Sequence, residues 1–131
     1  MLMSFDDAGT LLDELAEAFP AVLFEELNGG VNFLEDAVED LEFPAGESYI
    51  LGEYCDDCLG LYINLYYGSF AALAQQEGWD EAVWREELRA TLSHELTHHM
   101  ENRSGLHALD DRDAAELAAW KVQWRAEHEQ K

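Results

Sequence analysis

With 131 residues the chain is long enough for one hydrophobic core and too short for two, so a single domain over 1–131 is expected. Hydrophobic residues make up 48% of it, with 4 Trp, 5 Tyr and 6 Phe, which excludes a chain kept disordered by its charge. Seven basic against 29 acidic side chains give a formal charge of −22, a field that repels phosphates and anionic head groups, so neither nucleic acid nor membrane is an expected partner.

The opening "MLMSFDDAGTLLDELAEAFP" has no basic residue ahead of its apolar positions, and charges interrupt every apolar run. Neither a signal peptide nor a membrane span can be read there, and a cytoplasmic protein is expected. Leu11, Leu12, Leu15, Ala18 and Phe19 fall at helical spacing before Pro20, predicting a helix over 7–18. A shorter helical piece is expected through Val22 to Leu27, stopped by Gly29 and Gly30.

"VNFLEDAV" opens with β-branched and aromatic residues after a Gly-Gly turn, which favours a strand over 31–38. "CDDC" (55–58) has the spacing of redox and zinc motifs. Asp56 and Asp57 disfavour the thiolate that redox work needs, and there is no second cysteine pair to close a zinc site, so Cys55 and Cys58 read as flanking a turn. In "GLYINLYYGSF", Leu61, Ile63, Leu65 and Tyr67 alternate with Tyr62, Asn64 and Tyr66, the period of a half-buried strand over 60–67.

From Trp79 the pattern turns helical, with Trp84, Leu88, Leu92 and Leu96 four apart, running to about Asn102 before Gly105. A last helix is signalled by Asp113 with Glu116 three residues on, then Leu117, Trp120 and Trp124. Trp84, Trp120 and Trp124 are expected to form a seam between these two helices, and the tyrosines are expected in the core, with cleft lining by Tyr66 or Tyr67 at the strand end as the lesser alternative. No internal repeat or linker is visible.

The long helix carries "HELTHH". His94 and His98 are four apart, so they project from one helix face and can grip one metal ion through two imidazoles. Glu95 is turned about 100° round the helix, where its carboxylate can reach a water held by the metal and act as general base. Zinc suits two imidazoles and a carboxylate with one position left for water, whose pKa it lowers from about 15.7 to about 7. With 5 His and 18 Glu in the chain, random placement yields such a match with a chance of roughly 3%, and Leu92, Ser93, Leu96 and Thr97 around it are uncharged in a chain where 27% of residues are charged.

The third ligand is left open by spacing alone: Asp113, Asp110, Asp111, His107 and Glu101 are all near in sequence. Glu101 lies seven after His94 on the same face, one turn too far along, and is expected behind a ligand instead of on the metal. Asp113 has a competing role as helix cap. His99 points to another face, where a core or supporting position is expected, and His128 in the charged tail reads as solvated.

The strings "LGLYINLYYGSFAAL" (59–73) and "EELRATLSHELTHHMENRSG" (86–105) resemble the minimal zincin-type metallopeptidase family of small bacterial proteins, with H-E-L-T-H-H as the most specific part. That resemblance implies an α+β fold with a small β-sheet packed on the H-E-x-x-H helix, a zinc site at the edge of a cleft, and peptidase activity on a peptide or protein substrate. Shorter members run H-E-x-x-H-x-x-G-x-x-D. Here Glu101 stands where that Gly would be, an insertion carries the chain through Gly105, and matching the Asp that opens the next helix selects Asp113 as third ligand. The rival expectation is a metal-stabilised module that hydrolyses nothing and binds a basic partner.

Overall fold

The computed structural model describes residues 2–106 together with Ala119. Helix α1, Phe5–Ala18, starts two residues before the expected point because Ser4 caps it, its hydroxyl accepting from the Asp7 amide at 3.1 Å. Asp6 and Asp7 then sit in the first turn, where the helix dipole favours negative charge. Ala8, Leu11, Leu12 and Leu15 are its buried stripe. In place of a helix through Val22 to Leu27 there is one 3-10 turn, Ala21–Phe24, which buries Val22 and Leu23. Glu26, with φ 64°, closes off further helix.

Strand β1 is Val31–Leu34, and the expected continuation to 38 does not occur; a separate ribbon of β2, Val38–Glu39, and β3, Tyr49–Ile50, follows. Strands β4, Gly52–Asp57, and β5, Gly60–Tyr66, complete a three-stranded sheet in the order β1-β5-β4, with β1 parallel and β4 antiparallel to β5. The predicted alternation on β5 holds at its centre, where Ile63 and Leu65 are fully buried. Cys55 lies in β4 and Cys58 in the turn into β5, both as free thiols. Burial pushes the Cys55 thiol pKa up, with Glu53 and Asp57 adding to the effect.

Tyr67 does not end β5 but opens helix α2, Tyr67–Glu77, an element absent from the sequence expectation. It ends on Gly78 in the left-handed region at φ 65°, with the Gly78 amide bonded to the Ala74 carbonyl. The same segment explains the broken strand. A Cβ at Gly68 would stand 2.6 Å from the Ala37 nitrogen and 2.7 Å from the Glu35 oxygen, and Ser69 Oγ accepts from the Val38 amide at 2.9 Å. Residues 35–38 therefore bend over α2 instead of extending β1.

Helix α3, Glu81–Leu106, is capped by Asp80, whose carboxylate accepts from the Val83 amide at 2.9 Å. Trp79 lies before the cap and packs edge-on against Trp84 at 5.4 Å, a hydrophobic staple that sets the entry of the chain. Gly105 lies inside the helix instead of ending it. Trp84, Leu88, Leu92, Leu96 and Met100, four apart, are all fully buried and form the spine of the core with Ile63 and Leu65. Trp84 meets Tyr67 and Trp79; Trp120 and Trp124, expected beside it, lie outside the described residues, as does the helix expected from Asp113.

Strand β4 is held against α3 by three contacts. Gly52 lies so close that an added Cβ would stand 2.7 Å from the Leu65 side chain and 3.0 Å from Thr91. The Tyr54 hydroxyl meets His99 Nδ1 at 2.8 Å, and Asn102 reaches Tyr54 Oη at 2.9 Å and Asp56 at 3.3 Å. His99 Nε2 lies 2.7 Å from the Glu25 carbonyl, which can only accept, so Nε2 carries the proton and Nδ1 accepts from Tyr54. One turn on, buried Arg103 bonds Glu25, Glu26 and the Val22 carbonyl, fastening the helix to the 3-10 turn.

This packing has two measurable consequences. Gly68→Ala meets backbone atoms that cannot move aside, and we expect a loss of about 1–3 kcal/mol or more in urea melts; unchanged stability would show that residues 35–37 do not pack there. Burial holds the His99 pKa below its ordinary value, so the unfolded chain takes up this proton first. Its contribution to stability is then present above about pH 6.5 and shrinks as pH falls through that value. Urea melts of metal-free chain between about pH 7.5 and 5 should show a steeper decline for wild type than for His99→Gln; parallel curves would refute a neutral His99.

Candidate metal centre

Relative to Leu92, at about 100° per residue, the core residues Leu88, Leu96 and His99 lie within about 40°, whereas His94 and His98 lie near 200° and 240°. Packing the leucine stripe on the sheet therefore turns both ligand candidates to solvent. Glu95 and Asn102 fall on the flank between, the side that meets β4.

His94 and His98 Nε2 atoms are 3.2 Å apart, with the rings edge-on and their centroids 4.7 Å apart. Two nitrogens on a tetrahedral zinc with bonds of about 2.0–2.1 Å would be about 3.3–3.4 Å apart. An N–H···N hydrogen bond also fits that distance, so it does not decide the matter alone. The third group does more. Glu95 places a carboxylate oxygen within 4.8 Å of both imidazoles and is only 6% exposed, yet it has no hydrogen-bond partner among the described residues. A buried carboxylate without partners is costly unless a cation or donor meets it.

Burial is the main cause that raises the Glu95 pKa; the neighbouring His98 lowers it and Glu53 raises it further. Two imidazoles and a carboxylate are donors that zinc accepts, and the set is open to solvent on the histidine side. The residues fit such an ion.

Glu95 and His98 line an open groove of about 630 Å³ with Glu53, Tyr54, Glu101 and Asn102. His98 turns Nε2 toward His94, while its Nδ1 lies 4.0 Å from a Glu101 oxygen. Glu101 thus stands behind the ring, on the side from which carboxylates orient metal-bound imidazoles. His99 is fully buried in the Tyr54 relay and does not face the groove.

Of the residues singled out in the sequence, the structure brings together His94, Glu95 and His98. Asp113, Asp110, Asp111 and His107 lie outside the described residues. Cys55 and Cys58 join no metal-binding cluster among the described residues. Tyr67 is packed among Phe5, Phe33 and Trp84, the core position expected of the tyrosines, and Tyr66 donates to Glu53 at 3.3 Å. The groove residues missed in the sequence are Glu53, Tyr54 and Asn102. Asn102 was within reach, since it lies seven after Glu95 and shares its flank. Glu53 and Tyr54 depend on β4 lying beside α3, which no local pattern reveals.

No protein-family model matches the chain, and no curated protein matches it. A solved structure similar to it is a conserved hypothetical protein from Thermus thermophilus, 32% identical, with a TM-score of 0.67 over 78% of this chain and 98% of that one. At that identity across nearly the whole of its relative, the chain belongs to the family of this conserved hypothetical protein.

Proposed function

We propose that the chain is a zinc-dependent peptidase of the minimal zincin type, with His94 and His98 as ligands, Asp113 as third ligand on the motif alone, and Glu95 as general base. The observation that carries the reading is the meeting of two solvent-facing imidazoles, 3.2 Å apart, beside a largely buried carboxylate that has no hydrogen-bond partner among the described residues. When bound, zinc supplies Lewis acidity, polarising a carbonyl oxygen and making water acidic enough to ionise near neutral pH.

The rest falls to the chain's own groups. Glu95 takes a proton from the attacking water at its carboxylate and passes it to the leaving amine nitrogen. Its raised pKa brings the carboxylate nearer the working pH, where a general base gives up the proton again readily. Glu101, 4.0 Å from His98 Nδ1, stands on the side from which a carboxylate can steady that ring. Tyr54, fixed between Asn102 and His99, forms a rigid wall of the groove. The unpaired thiols of Cys55 and Cys58 accord with the reducing cytoplasm in which we place the enzyme.

The rival reading is a module whose metal only braces the fold and whose acidic face meets a basic partner. Structural zinc sites are closed by four protein ligands, and the exposure of His94 and His98 argues for the catalytic reading. Glu95→Gln should keep zinc after dialysis and lose about 10²–10⁴ in turnover of a peptide library, the range of a general base, while His94→Ala and His98→Ala should lose the metal. A Glu95→Gln protein that cleaves like wild type would end the peptidase reading. Zinc bound with no peptide ever cleaved would favour the rival.

A further inference from the structure

Three of the six residues lining the groove, Glu53, Glu95 and Glu101, are carboxylates, and none is lysine or arginine. The nearest arginine along the helix, Arg103, is turned the other way into its bonds with Glu25, Glu26 and the Val22 carbonyl. Among the described residues, then, this chain sends no cationic side chain into its own groove. A divalent ion at the histidines would still leave the three carboxylates one negative charge in excess, within a chain whose formal charge is −22.

Glu95 is a second, separate observation. It is more than nine-tenths buried, opens onto the groove and has no hydrogen-bond partner among the described residues. A groove with such a floor favours positive ligands, because a cation that enters meets a carboxylate that its surroundings have only partly left to water. Two further carboxylates are placed to receive it. Glu53 has one oxygen in use, accepting from Tyr66 at 3.3 Å, and the other has no hydrogen-bond partner among the described residues. Glu101 is mostly exposed on the opposite side of His98, and Tyr54 between them adds aromatic surface for the stem of a long side chain.

We infer that the groove selects peptide segments carrying a lysine or arginine side chain, received by Glu53 and Glu101. This names the substrate class of the site and, as a statement about turnover, rests on the peptidase reading. The recognition itself does not need turnover.

The experiment pairs cleavage with binding. Zinc-loaded protein is given a positional peptide library in which each position is scanned with Lys, Arg, Gln and Glu, and fluorescein-labelled peptides differing only in Lys against Glu are titrated by anisotropy. We expect one position to prefer Lys or Arg over Glu by at least about tenfold at low salt, the scale of one charge-assisted hydrogen bond. That preference should shrink in about 0.5 M NaCl and fall severalfold in Glu53→Gln/Glu101→Gln. Glu101→Gln alone, at an exposed position, serves if the double variant is poorly folded. Cleavage with neutral or acidic preference, or a Lys preference equal in wild type and variant, overturns the inference while leaving the peptidase standing. Lys-selective binding lost in the variant, with no cleavage, keeps the groove assignment and rejects the peptidase. Binding without selectivity overturns the inference whatever the turnover.

Discussion

Everything at the candidate site depends on one packing contact, the stripe Leu88, Leu92, Leu96 and Met100 of α3 pressed onto Ile63 and Leu65 of the sheet. Each of these side chains, fully buried, contributes about 1.5–3 kcal/mol by removal from water, so the rotation of the helix about its axis is strongly fixed. Once that rotation is fixed, the angles of a regular helix settle the rest. His94 and His98 must face solvent together, and Glu95 must lie at the edge where the sheet begins. The metal motif is a consequence of which face the leucines bury.

The burial of Glu95 follows from the same geometry. Its flank meets β4, and Gly52 lets that strand approach to within contact of Thr91, one turn before Glu95. A side chain at residue 52 would push the strand outward and open Glu95 to water. The close approach therefore sets the desolvation that raises the Glu95 pKa, and it brings Glu53 near enough to add to it. A raised carboxylate pKa is here the result of backbone spacing between a strand and a helix, at a site where nothing in the local sequence specifies it.

How far this was legible follows from where each signal lives. Helix α1, the centre of β5, and α3 with its histidines were readable because periodicity and spacing are local properties, and the four-residue leucine repeat carries its own burial prediction. The rest of the region between β1 and α3 was not. Gly68 and Ser69 look like a turn in sequence, yet they serve as the close-contact patch over which residues 35–38 bend, and this suppresses the expected long strand. "FAALAQQEG" is made of good helix formers ahead of a left-handed Gly, but the alternating aromatics before it drew the strand reading one residue too far. Strand β4 carries Glu53 and Tyr54 with a mixed, half-buried pattern that gives neither period clearly. The motif could be found by spacing; the wall of the groove required tertiary structure.

The wall also ties the geometry of the candidate site to fold stability. His99 follows the candidate ligand His98 directly, and its two ring nitrogens are committed, one to the Tyr54 hydroxyl and one to the Glu25 carbonyl. Because a neutral imidazole has one donor and one acceptor, this pair of partners allows a single tautomer. It also leaves the ring little freedom to turn. A rotation of α3 large enough to misplace His98 would break both bonds and leave buried polar atoms unpaired, at about 1–3 kcal/mol each. Arg103, four residues on, opposes the same rotation through Glu25 and Glu26. The polar residues within the core stripe thus hold the orientation of the solvent-facing histidines, a task that leucines, which tolerate small rotations in packing, perform less sharply.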